Sequence, residues 1–149
     1  MARQHERTAS RKSAVQVLYA GVIRNRRASE LLSGGEILCL DDALSDYALM
    51  LVEGVEVHEA EIDERLESIS ENWSVGRMPI MDRTILRLAL FEMLYVDDVP
   101  TSVSINEAVE LAKEFGGEDD SPRFVNGMLG RVARQMEAGE HGMAGAEDV

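Results

Sequence analysis

The chain has a single cysteine, three prolines, and aromatic residues making up only 5% of its length. One cysteine cannot form an internal disulfide, so nothing in the sequence asks for an oxidising compartment. The neighbours of Cys39 are Ile37, Leu38 and Leu40, which fit a buried thiol better than a reactive one. Strand-like alternation is scarce, which leaves an all-α fold as the default. No apolar run is long enough to span a bilayer and no signal peptide is visible, so a cytoplasmic protein is expected. The three histidines, His5, His58 and His141, stand apart from any cysteine or carboxylate at ligand or catalytic spacing. Ser33-Gly34-Gly35 and Gly116-Gly117 lack the lysine and strand context of a phosphate loop and read as a linker and a helix stop. No nucleophile sits in a recognisable elbow. These absences argue against an enzyme, a metal site or a cofactor.

What is present is charge, unevenly placed. Residues 1–27 carry seven basic side chains against Glu6 alone, giving +6, while the remainder is −19 and the whole is −13. Two readings of this asymmetry stand: a basic arm for a polyanion, or a basic helix docked on its own acidic body. With 149 residues and 45% hydrophobic content, one domain of two small subdomains is expected.

The spacing predicts a mobile basic arm over 1–9, then a helix from near Thr8 or Ser10 to near Arg27. Arg7 and Arg11 share a face of that helix, and Arg3 extends it if the arm orders. Ala28 to Leu40 is a connector with at most a turn of helix near Glu30–Leu32. Asp41-Asp42 opens a second helix, followed by Leu44, Tyr47, Ala48, Leu51, Val52 and Val55 at three-and-four spacing. A third runs over about 59–72, with Ile62, Leu66, Ile69 and Trp73 inward. Its carboxylates Glu61, Asp63, Glu64, Glu67 and Glu71 read as a solvated face. Trp73 to Pro79 is a hinge, in which Arg77 has a structural role.

From Asp82 to Glu92 the chain is apolar on nearly every side, which marks a central helix wrapped by others. Ser104-Ile105-Asn106-Glu107 reads as a capping box that starts the next helix, stopped at Gly116-Gly117. Ser121-Pro122 supplies an N-cap and first helical residue for the last helix. The tail over 139–149 is small and acidic, with disorder expected. The subdomains are thus expected at about 10–73 and 79–138.

Four motifs occur in order. They are Arg11-x-x-Ala14-Val15-Gln16-x-Leu18-Tyr19, Asp82-Arg83-x-Ile85-Leu86-Arg87-Leu88-Ala89-x-x-Glu92, Pro100-x-x-Val103-x-Ile105-Asn106-Glu107-Ala108 and Phe124-Val125-Asn126-Gly127-x-Leu129. Together they resemble the NusB family of transcription antitermination factors, over roughly Arg7 to Val132. The resemblance implies six to seven helices in two packed three-helix bundles and no catalysis. It implies binding of boxA-type RNA with a small-subunit ribosomal protein, called NusE in this role, within the RNA polymerase antitermination complex on ribosomal RNA genes.

Carried over by motif, RNA contacts fall to Arg7, Arg11, Lys12, Gln16 and Tyr19, with a second patch at Asp120, Ser121 and Phe124. Asp82 falls at a partner-facing position, or is only a helix N-terminal charge. Tyr19 reads equally as core or as a stacking ring, and Asp120 equally as a helix cap or as a base contact. A homodimer with little RNA affinity of its own is the alternative. An RNA-binding domain of the kind fused to RNA methyltransferases is a poorer one, since no catalytic motif follows.

Overall fold

The computed structural model describes residues 2–35, 44–70 and 74–147, with side chains from His5 to Gly139. Cys39, the Asp41-Asp42 helix opening, Glu71, Trp73, and the side chains of Arg3 and His141 lie outside the described residues. The fold is all-α, and the described residues form seven helices: α1 Ala2–Arg24, α2 Ala28–Ser33, α3 Asp46–Val57, α4 Glu59–Ile69, α5 Ile80–Tyr95, α6 Thr101–Phe115 and α7 Ser121–Glu147. A 3-10 turn, Val75–Arg77, precedes α5.

The central helix is α5, as its all-round hydrophobicity requires. Every residue from Thr84 to Met93 is buried, and the helix packs against α1, α3, α4, α6 and α7. On one side α1 lies along α3 with α2 tucked beside both; on the other α6 and α7 pair with α5. Leu51, Ile62, Leu66, Leu90 and Leu129 are fully buried where these layers meet. Approach of α3 to α5 depends on Gly54, because a Cβ there would fall within the Phe91 ring.

Several boundaries differ from the sequence reading, each for a local reason. Residues 2–9, expected as a mobile arm, continue α1, and the tail from 139, expected to be disordered, continues α7 to Glu147. Residues added to an existing helix avoid the nucleation step that an isolated segment faces, which helps residues 2–9, mostly good helix formers, more than the tail with Gly139, Gly142 and Gly145. Ser45 caps α3, accepting a hydrogen bond from the Ala48 N–H at 3.1 Å. Ser104 is not a cap. Proline at 100 stands at the start of α6 and the Ser104 N–H already bonds the Pro100 carbonyl at 3.2 Å, so Ser104 lies one turn inside. Ser121 is the first residue of α7 rather than its cap, and the Phe124 N–H bonds the Asp120 carbonyl at 3.0 Å.

Two further expectations change. Asp63 is not on a purely solvated face: it accepts two parallel hydrogen bonds from Arg87, at 2.8 and 2.7 Å, and so ties α4 to α5. Arg77 is exposed, and among the described residues it makes no side-chain bond. The contact from an arginine to the hinge is made instead by Arg83, whose Nη1 reaches the Val75 carbonyl at 3.5 Å.

Candidate nucleic-acid interface

The spacing of Arg7 and Arg11 does place them on one face of α1, and that face points inward. Their guanidinium groups stand 4.5 and 5.8 Å from the Tyr47 ring centroid, within cation–π range. Arg11 is 2% exposed, and its Nε donates to Glu92 at 2.8 Å. Glu92 in turn accepts from the Tyr47 hydroxyl at 2.5 Å and from Ser104 Oγ at 2.7 Å. Glu107 adds a second carboxylate, 3.3 Å from Arg11 Nη1, and accepts from Thr8 Oγ1 at 2.6 Å. Burial and the bond to Glu92 push the Tyr47 hydroxyl well above its ordinary pKa, so it serves as a donor throughout the physiological range.

This network is what an ion pair needs in order to persist in a core: a partner for the charge and hydrogen bonds for the remaining lone pairs. Its cost to the RNA reading is direct, because Arg11 cannot reach an RNA without leaving Glu92. The expected contact at Arg11 is therefore corrected to a structural one. Glu92, Tyr47 and Ser104 were not singled out by the sequence as a site. The available signal was a glutamate in a helix buried all round, which has to find donors.

Arg7 keeps partial exposure, 19% of its side chain, and pairs with Asp98 at 3.0 Å. Lys12 is exposed, with Nζ 2.7 Å from Glu114 and over the Phe115 ring at 5.9 Å. Gln16 is exposed and Tyr19 half-buried, one and two turns further along the same side of α1. Between this side and α6 runs a groove of about 740 Å³, lined by His5, Thr8 and Lys12 on one wall and Asn106, Glu110 and Lys113 on the other.

The α6–α7 turn carries the second expected patch. Asp120 is exposed and Phe124 is half-buried against the core. Ser121 is fully buried. It donates to Asp82 Oδ2 at 2.9 Å and accepts from the Glu118 N–H at 3.1 Å, which closes the acidic turn onto α5. Asp82 is 2% exposed. Burial raises its pKa, the Ser121 bond and the nearby Gly117 amide oppose the rise, and Oδ1 has no hydrogen bond. Ser121 and Asp82 thus form an internal latch, and neither presents a surface to a ligand or a partner. The two patches share one edge of the molecule, since Lys12 sits over Phe115, the residue from which the acidic turn departs.

Residues 8–134 match the model of the NusB family. The chain belongs to the NusB family. A transcription antitermination protein NusB of Saccharopolyspora erythraea is 48% identical over 128 residues, covering 85% of this chain and 86% of that protein. The structure of T. maritima NusB superposes with a TM-score of 0.75 at 31% identity, covering 86% of this chain and 90% of the other. A crystal structure of the antitermination factors NusB and NusE in complex with dsRNA superposes with a TM-score of 0.73 at 25% identity, covering 88% of this chain and 98% of the other. The family fold and the fold described above therefore agree over most of the chain. Among the described residues no cluster of His, Cys, Asp or Glu is arranged to hold a metal ion, and no helix is long and apolar enough to cross a membrane.

Proposed function

We propose that this NusB-family chain is a non-catalytic, cytoplasmic antitermination factor that binds boxA-type RNA together with the ribosomal protein NusE. In this reading it supports ribosomal RNA transcription within the RNA polymerase antitermination complex. The observation that carries the RNA assignment is the shared edge formed by the outer side of α1 and the end of α6. There Lys12 and Gln16 are exposed, Arg7 on the adjoining inward face keeps partial exposure, and the turn bearing Asp120 leads to Phe124. Lysine and arginine supply phosphate contacts, and Gln16 and Asp120 can hydrogen-bond base edges. Half-buried Tyr19 and Phe124 offer ring faces for stacking. Relatives that bear the antitermination name, and the related NusB–NusE–dsRNA complex, support the same assignment. A basic ribosomal protein suits a body with a charge of −19 outside the first 27 residues.

A second reading is favoured by a specific observation: Arg7, Arg11 and Lys12 are all paired with carboxylates of the same chain. On that reading the isolated chain is a homodimeric interaction module with little RNA affinity of its own. Binding of a boxA-containing RNA and of a scrambled one, with and without NusE, across a salt series separates the two. Selective binding that tightens with NusE supports antitermination. Weak, unselective binding under both conditions supports the interaction module and removes the RNA assignment.

A further inference from the structure

In a chain of net charge −13, a cavity with a net positive wall is unexpected. One lies at the far end of α1, where its lining residues Leu18 to Asn25 stand about 17 to 27 Å along the helix from Arg7 at ~1.5 Å per residue. It measures about 400 Å³ and is bounded by the α1–α2 turn, the α3–α4 corner and the first turns of α5. Arg26, Arg27, Arg83 and Arg87 line it, with Glu56 and Glu59 as the acidic residues of the wall.

The acidic groups are already occupied. Glu56 accepts from the Ser29 N–H at 2.9 Å and Ser29 Oγ at 2.8 Å, with Arg27 Nε 3.5 Å away. Glu59 lies 3.1 Å from Arg87, which also holds Asp63. Arg26 lies 3.8 Å from Glu30. Arg83 is different. Its Nε is buried with no hydrogen-bond partner, and its Nη1 makes a long, 3.5 Å approach to the Val75 carbonyl. Burial, and then the neighbouring Arg87 charge, lower its pKa, and the charges of Asp63 and Glu59, both held by Arg87, only partly oppose this. A buried donor without an acceptor, on the wall of a cavity, asks for an acceptor from outside the chain.

We propose that this cavity is an oxyanion site that takes a phosphate group, with Arg83 as the anchoring donor and Arg26 and Arg27 at its mouth. A phosphate suits a guanidinium fork and has enough acceptor oxygens for several arginines at once. The phosphate can belong to an RNA backbone or to a free small molecule. The proposal does not depend on the RNA assignment above, because inorganic phosphate alone is the probe.

The test uses the full chain in thermal melts with inorganic phosphate against chloride at matched ionic strength, for wild type, Arg83→Met and Arg27→Gln. Phosphate is expected to raise the melting temperature of wild type; at ten times its Kd it multiplies the folding constant about 11-fold. Arg83→Met is expected to abolish the response while keeping the aliphatic packing of the stem. Arg27→Gln, at the exposed mouth, weakens it and keeps the test informative should Arg83→Met fail to fold. No response in wild type, or an equal response in wild type and both variants, overturns the site. Boxa-type RNA binding by Arg83→Met then assigns the source: reduced affinity places an RNA phosphate in the cavity, and unchanged affinity with a lost phosphate response places a free phosphate there.

Discussion

Replacing Arg11 with methionine leaves the Glu92 carboxylate, 1% exposed, facing two neutral donors, Tyr47 and Ser104, with no cation. Breaking a buried pair from one side costs about 3–5 kcal/mol, because the surviving charge is stranded. Glu92→Gln strands Arg11 instead, but Glu107 remains 3.3 Å away, which puts that loss near the lower end, about 3 kcal/mol. Were the two residues independent, the double variant would lose about 6–8 kcal/mol, a large part of a typical 5–15 kcal/mol stability. In Arg11→Met/Glu92→Gln, however, neither member of the pair is left charged, and the glutamine oxygen can still accept from Tyr47 or Ser104. The expected loss for the double variant is about 3–4 kcal/mol, a coupling of at least about 2 kcal/mol. Urea denaturation measures all four species, with unchanged slopes showing that the unfolded reference is the same. A double variant within about 0.5 kcal/mol of the summed single losses would refute the hub.

Ser104→Ala removes a donor to the same buried carboxylate and is expected to cost about 1.5–3 kcal/mol, the range for a bond to a charged group; a loss below about 0.5 kcal/mol in urea melts contradicts it. Asp82 carries a raised pKa through burial. A carboxyl that holds its proton longer when folded makes wild type lose stability as pH climbs from the ordinary 3.8 through the raised value, and no further above it. Asp82→Asn lacks that loss, so it should gain on wild type between about pH 3 and pH 7; an equal difference at both ends contradicts the assignment. Gly54→Ala forces a methyl into the Phe91 ring and should cost about 1–3 kcal/mol despite the helix preference for alanine, with a neutral or higher melting point as the contrary result. Asp98→Asn with Glu114→Gln releases Arg7 and Lys12. Exposed pairs of this kind are worth about 0.2–1 kcal/mol each, so RNA affinity should rise about 1.4- to five-fold per pair, and an unchanged or weaker affinity argues against α1 as the contact.

How much of this could be read beforehand depended on whether the deciding contact was local. The α5 segment needed no partner to be recognised, since an almost entirely apolar helix has to be central. The inward stripes of α3 and α4 followed from their periodicity in the same way. Ser104-x-x-Glu107 matched a capping pattern and was misplaced by one turn. The pattern describes four residues, whereas the helix start was decided by Pro100 and the use of Ser104 by Glu92, twelve residues back on another helix. For Arg7 and Arg11 the four-residue spacing correctly put both on one face. It could not tell whether that face met solvent or Tyr47 and Glu92, because spacing fixes a relative angle and tertiary contacts fix the direction. Ser121, read as a helix cap or an RNA contact, and Asp82, read as a partner contact or a helix charge, are thirty-nine residues apart, and only their 2.9 Å bond makes them one internal feature.

The same self-pairing bears on how RNA binding should respond to salt. Each phosphate engaged on a single strand contributes about −0.7 to the log–log salt slope through released counterions. On the proposed reading an arriving phosphate would take Arg7 or Lys12 from Asp98 or Glu114, and the carboxylates set free would gather cations of their own. That uptake opposes the release from the RNA, so the slope should be shallower than the number of contacts implies. Asp98→Asn with Glu114→Gln removes the uptake and should steepen the slope as well as raise affinity. A general gain of positive charge far from the RNA would raise affinity by long-range attraction but would not change which ions are exchanged at the contact. Steepening with these two substitutions, and none with an equal charge change at the distant α4 carboxylate Glu64, is therefore the signature of a basic helix neutralised by its own acidic body.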